Sequence, residues 1–204
     1  MDAVTAYLTA LALSVAAGLN AWIPLLAVGL LARADQLTLP SSWSFLEDPV
    51  VLGVLAIVAV ADFVGDKVPA VDHVLHTIGV VIAPASAVVA VLAATGSVEV
   101  STAAIVAVSI VTAELTHGAR ATIRPASTLA TGGAGNPVLS LAEDGVSVAL
   151  AITAVLVPVV AFVLVLAVAL TAIWLVRRAW RRRGSRPVGR TVPPVPPPPP
   201  APER

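Results

Sequence analysis

The sequence contains no cysteine, which excludes disulfides, thiolate metal sites and cysteine nucleophiles. Charge is scarce as well. Only 12% of the 204 residues are charged, against about 25% in an ordinary soluble domain. Aromatics make up 4%, and there are three histidines and one methionine. The apolar runs show no period-two alternation, which argues against a membrane barrel. No nucleophile elbow and no HExxH is present, and the GGAG at 132–135 lacks the strand-and-helix context of a nucleotide loop. The chain therefore reads as a non-enzyme with no catalytic residue, no cofactor and no nucleic-acid partner.

What is abundant is apolar surface. Hydrophobic residues make up 58% of the chain and the mean hydropathy is +0.96. Several runs approach the roughly 20 residues needed to cross a bilayer, and lipid admits only helices or closed barrels. The expectation is an all-α integral membrane protein: a bundle of about five transmembrane helices, some broken or kinked, with the lipid bilayer as its main partner. The spans fall near 3–31, 49–66, 72–94, 100–121 and 145–176. The start, MDAVTAYLTALALSVAAG, has no basic leader and reads as a retained first helix. Residues 1–180 form the membrane domain. Residues 181–204 form a basic, proline-rich tail that reads as disordered.

The first run carries no charge from Ala3 to Leu31 but is interrupted at Gly18-Leu-Asn20-Ala-Trp22-Ile-Pro24. Two readings stay open: a proline kink in one tilted span, or a broken helix that turns backbone groups toward a cavity. Asn20 is its one strongly polar side chain, suited to bonding a neighbouring helix or a ligand. Pro125 to Pro137 is small and glycine-rich, a loop or a re-entrant segment. The final run, 145–176, is too long for a straight crossing and needs tilt, extension or a kink at Pro158.

The ionisable residues concentrate in a few places. Ala61 to His76 reads ADFVGDKVPAVDHVLH. Asp62 lies about 18–20 Å along the second span, inside a core of about 30 Å, and Glu114 lies at a similar depth in the fourth. Helix direction then brings Asp62, Asp66, His76, Glu114, His117, Glu143 and Asp144 to one side of the membrane as a candidate ion or proton site. Lys67, Arg120 and Arg124 serve as charge partners. Intramembrane carboxylates mark function by default, and histidines with acids can relay protons or bind metal. No metal is assigned. Bare ion pairing at helix ends would draw on the same residues. Seven of the twelve lysines and arginines lie between Arg177 and Arg190, which puts the C-terminus in the cytoplasm.

Four stretches, GLNAWIPLL (18–26), FVGDKVPAVDH (63–73), the HGAR of His117 to Arg120 and NPVLSLAED (136–144), resemble the bacterial membrane family DUF4126. The resemblance covers roughly residues 1–180 and implies a small multi-span inner-membrane protein without an assigned activity. A partial likeness links Asp62 to Lys67 with the E-x-G-D-K/R-T repeats of GDT1-type cation/proton exchangers. This chain has one extra residue and ends in Val68, and its second half offers only Glu114 to Arg120. The expected function is a small transporter or channel moving a cation or protons. The alternative is a non-transporting scaffold or accessory subunit. A homo-oligomer is compatible with either.

Overall fold

The computed structural model describes residues 1–65, 69–96 and 101–184. Among them the chain is helical with no strand. The helices are α1 (Ala3–Leu19), α2 (Trp22–Arg33), α3 (Pro49–Gly65), α4 (Pro69–Thr95), α5 (Thr102–Thr131), α6 (Asn136–Leu156) and α7 (Pro158–Gly184), with a 3-10 helix at Ser41–Glu47 before α3. Three of them, α4, α5 and α6, are long and apolar enough to cross a membrane. The 3-10 helix and α3, bent by 63°, make a fourth if taken as one span.

Local chemistry explains most of the boundaries. Asp2 caps α1 by accepting the Thr5 N–H at 2.8 Å, and the hydrogen bonds from Thr5 hold its carboxyl below the usual carboxylate range. Asp48 caps α3 in the same way, accepting from Val50 at 2.7 Å and Val51 at 3.3 Å, with Pro49 at the first helical position. α5 continues through Pro125 and stops at Gly132, whose φ of 63° only a residue without a Cβ adopts easily. The glycine-rich 125–137 stretch is therefore mostly helix, with the turn confined to 132–135. α6 begins at Asn136, nine residues before the expected 145, and so contains Glu143 and Asp144 within it. Val157 precedes Pro158, leaves the helical region at φ −145° and ψ 72°, and separates α6 from α7. The single run expected over 145–176 is thus two helices.

The larger departure lies in the first run. The helix breaks at Asn20, which is extended at φ −149° and ψ 117°, and not at Pro24, which sits harmlessly in the first turn of α2. Cross-chain contacts fix the directions. Thr9 Oγ1 donates to the Ala154 carbonyl and Ser147 Oγ to the Ala16 carbonyl, both at 2.9 Å, so α1 and α6 are antiparallel. α6 runs against α5 through Glu143 and the short turn, and α5 against α4 through His117 and Gly79. α4 in turn runs against α3, where Gly65 meets Val71 and Leu75. α3 opposes α2, because Gly29 faces Leu52 while Asn20 reaches Asp62. The chain therefore reverses at Asn20. α1 and α2 are about 25 Å and 18 Å long, each short of a membrane core of about 30 Å, and together form a hairpin whose apex lies inside the bundle.

α1 is the central helix. Ala6, Ala10, Ala12, Ala16, Ala17 and Gly18 are buried along it, and small side chains of this kind allow helix backbones to approach closely. A Cβ on Gly18 would lie 2.5 Å from Thr116 Cβ and 2.6 Å from the Ala113 carbonyl oxygen. The outside is apolar instead. Val50, Val54, Ile57, Val60 and Val64 form a stripe along α3, with Ile57 70% exposed. The chain divides into two compact units, Met1–Ala167 and Val168–Arg204. In the second unit the Arg178 guanidinium lies 5.0 Å over the Trp174 ring. Of the expected tail at 181–204, residues 181–184 continue α7, and the rest lies outside the described residues.

Gly18→Ala tests the α1–α5 approach, because the added methyl meets the Thr116 Cβ and a backbone carbonyl rather than the far end of a flexible side chain. The substitution should cost about 1–3 kcal/mol, read as a lowered thermal midpoint in detergent. Gly53→Ala, with nothing within 4 Å of the added Cβ, should leave the midpoint unchanged or slightly raised.

Candidate functional site

The helix break at Asn20 creates unpaired backbone groups in an apolar interior, and each must find a partner. Asn20, 1% exposed, supplies several. Its Oδ1 accepts the Trp22 N–H at 3.1 Å and the Ile23 N–H at 3.4 Å, capping α2. Ser86 Oγ donates to the Ala21 carbonyl. The Asn20 amide nitrogen is then left with two protons. One goes to Asp62 Oδ2 at 3.0 Å, the other to Asp144 Oδ1 at 2.9 Å. Every donor and acceptor of the amide is used. The bridge keeps two carboxylates from α3 and α6 within about 6 Å of each other, close enough for each to feel the other's charge.

A cavity of about 260 Å³ opens beside the bridge. Its floor is the hairpin apex (Ala17, Ala21 and Trp22). Its walls come from Val58, Ala61, Leu75, Ile78 and Ile82, and its polar edge is Asp62, His76, His117 and Arg120. The two histidine rings stack with centroids 4.3 Å apart and planes 15° from parallel. His117 is 4% exposed, and its Nε2 lies 3.1 Å from the His76 carbonyl. A carbonyl only accepts, so Nε2 carries the proton. Gly79 makes this packing feasible, since a Cβ there would fall 2.4 Å from the His117 ring.

Glu143 belongs to a different arrangement. Its Oε2 accepts from Arg120 Nε at 3.0 Å and from Arg124 Nη2 at 2.9 Å. Glu143 and Arg124 are buried, and the double clamp joins α5 to α6 just beyond the bridge. Glu114 is half-buried on α5 and does not line the cavity. Its Oε1 is buried without a hydrogen-bond partner among the described residues.

The structure thus brings Asp62 and Asp144 together, places Asp62, His76, His117 and Arg120 around one cavity, and sets Glu143 apart under two arginines. Asp66 and Lys67 lie outside the described residues. Among the described residues no three His, Asp or Glu side chains are grouped as a metal site requires. The central residue absent from the sequence-derived site is Asn20. Its signal was present as the one strongly polar side chain in a long uncharged run, but its partners are 42 and 124 residues away.

Several buried charged and polar groups together with an aliphatic outer face depart from the pattern of a soluble protein. Together with several long apolar helices, that arrangement is the one suited to a membrane protein. A family model described as "Domain of unknown function (DUF4126)" matches residues 7–178, and the chain belongs to that family. No curated protein and no solved structure matches it.

Removing Glu143 takes away the carboxylate shared by the buried Arg124 and the half-buried Arg120. Glu143→Ala should therefore cost about 3–5 kcal/mol, measured by thermal or denaturant unfolding in detergent. Asn20→Ala should cost about 1–3 kcal/mol or more by leaving buried groups without partners. Arg33→Ala, which loses one exposed bond to the Glu47 carbonyl, should change the same measurement little.

Proposed function

We propose that the protein is a bacterial inner-membrane transporter or channel that passes a small positive charge, a proton or a small cation, through the Asp62–Asn20–Asp144 bridge. On this reading α3, α4, α5 and α6 cross the membrane, α1 and α2 enter and return as a re-entrant hairpin, and the apolar part of α7 is a further crossing. The basic run after Trp174 supports a cytoplasmic C-terminus through the positive-inside rule.

The observation that carries the proposal is the bridge itself. A broken helix pair presents one amide to two carboxylates from two other helices, and one of the two borders a cavity. Discontinuous helices meeting at mid-depth are where transporters place ion sites. The cavity histidines suit the same task, because imidazole exchanges protons near neutral pH. The clamp on Glu143 supports a structural role for Glu143, Arg120 and Arg124: they fasten α5 to α6 so that Asp144 is held against Asn20.

Purified protein in proteoliposomes loaded with a pH-sensitive dye tests the proposal. An imposed potential should drive proton uptake above empty liposomes, with sodium and potassium gradients run in parallel. Asp62→Asn should lower the flux about tenfold or more, and Asp144→Asn should act similarly, while Asp35→Asn in an exposed connection should match wild type. Equal flux in wild type, Asp62→Asn and empty liposomes would overturn the transport reading in favour of the scaffold alternative.

A further inference from the structure

We propose that the cavity beside Asp62 binds a small organic ammonium ion, a primary amine on a short branched aliphatic body. The inference rests on the reading of Asp62 as the group that receives positive charge, and adds what carries that charge into the cavity.

Two features of the lining select the ligand. The first is the mismatch between walls and rim. A bare or hydrated inorganic cation needs a shell of oxygen ligands, yet Val58, Leu75, Ile78 and Ile82 offer aliphatic carbon. The cavity has the volume of roughly nine waters, enough for a branched body of a few carbons but not for a large solute. Burying that body against the walls is favourable in proportion to the apolar area covered. The second feature is charge. Among the described residues, Asp62 is the carboxylate that lines the cavity, and the Asn20 amide holds Asp144 close to it. Two carboxylates held together by one amide favour a cation beside them. Arg120 lies at the cavity edge, but Glu143 holds its Nε at 3.0 Å. An ammonium is drawn along this polar edge toward Asp62.

Trp22 completes the fit. It lines the cavity next to the Asn20 cap, and an indole offers a cation or an alkyl group a polarisable wall. Ala61, Val71 and Ile78, which line the cavity from α3 and α4, are themselves exposed. An amine with an apolar body can therefore reach the cavity between these helices from an apolar surrounding.

Trp22 also provides the readout. Full-length protein in detergent would be titrated with isobutylammonium, with isobutanol, isovalerate and magnesium as parallel titrants, and tryptophan fluorescence followed. The amine should give a saturable change that Trp22→Phe removes, and Asp62→Asn should weaken binding about tenfold or more. Isobutanol should bind at least tenfold more weakly than the amine. Equal response to alcohol and amine, binding unaffected by Asp62→Asn, or no saturable response to the amine would each overturn the proposal. Should Asp62→Asn fail to fold, Ile82→Phe, which fills the cavity without touching the bridge, replaces it and should abolish binding. Proton flux from the same preparation keeps the two ideas apart. Flux without amine binding overturns only the ligand, whereas amine binding without flux overturns only the transport reading.

Discussion

One amide holds this fold together at its least forgiving point. An apolar interior gives a broken helix no water to satisfy its loose ends, so a chain that reverses inside a bundle needs a side chain that can both accept and donate. Asn20 does both. Its oxygen caps the outgoing helix, and its nitrogen binds carboxylates from two others. A serine or threonine could supply the cap but not two further donors, and an aspartate would bring a third negative charge to the same spot. The remainder of the site follows from this requirement. Asp62 and Asp144 are placed by Asn20, and the cavity begins where the hairpin ends.

The bundle has two halves of unlike construction. Below the apex, α1 packs through alanine and glycine against α4, α5 and α6, with hydroxyls of Thr9 and Ser147 bonded to facing carbonyls. Beyond the apex no central helix continues. There the helices are held by charge, through the Arg120–Glu143–Arg124 clamp, and by the His76–His117 stack seated on Gly79. Dispersion and close approach stabilise the first half. The second half relies on polar pairs, whose desolvation makes them specific more than strong.

Much of this was legible in the residues. Asp48-Pro49 marks the start of α3, Pro158 marks the α6–α7 break, and the position of Asp62 late in α3 follows from counting residues. The glycine-rich stretch misled, because Pro125 removes only one N–H from a helix that otherwise continues, and the actual stop is the left-handed Gly132. That error displaced the start of α6 and put Glu143 and Asp144 at a helix mouth instead of within a helix. The break in the first run was visible as a choice between kink and rupture. Resolving it needed the partners of Asn20, which no local pattern contains.

The hairpin also has a history that its final form conceals. α1 is synthesised before α6, yet the bonds that α1 and Asn20 make to α6 join residues 145, 131 and 124 positions apart. Contacts this distant are the slow ones in folding, because the intervening chain must be made and ordered before they can form. Until α6 has been synthesised, Asn20 lacks one of its two carboxylates and α1 lacks one of the helices it packs against. An early segment of the chain is thus among the last to settle. Assembly of the site and completion of the fold are the same event.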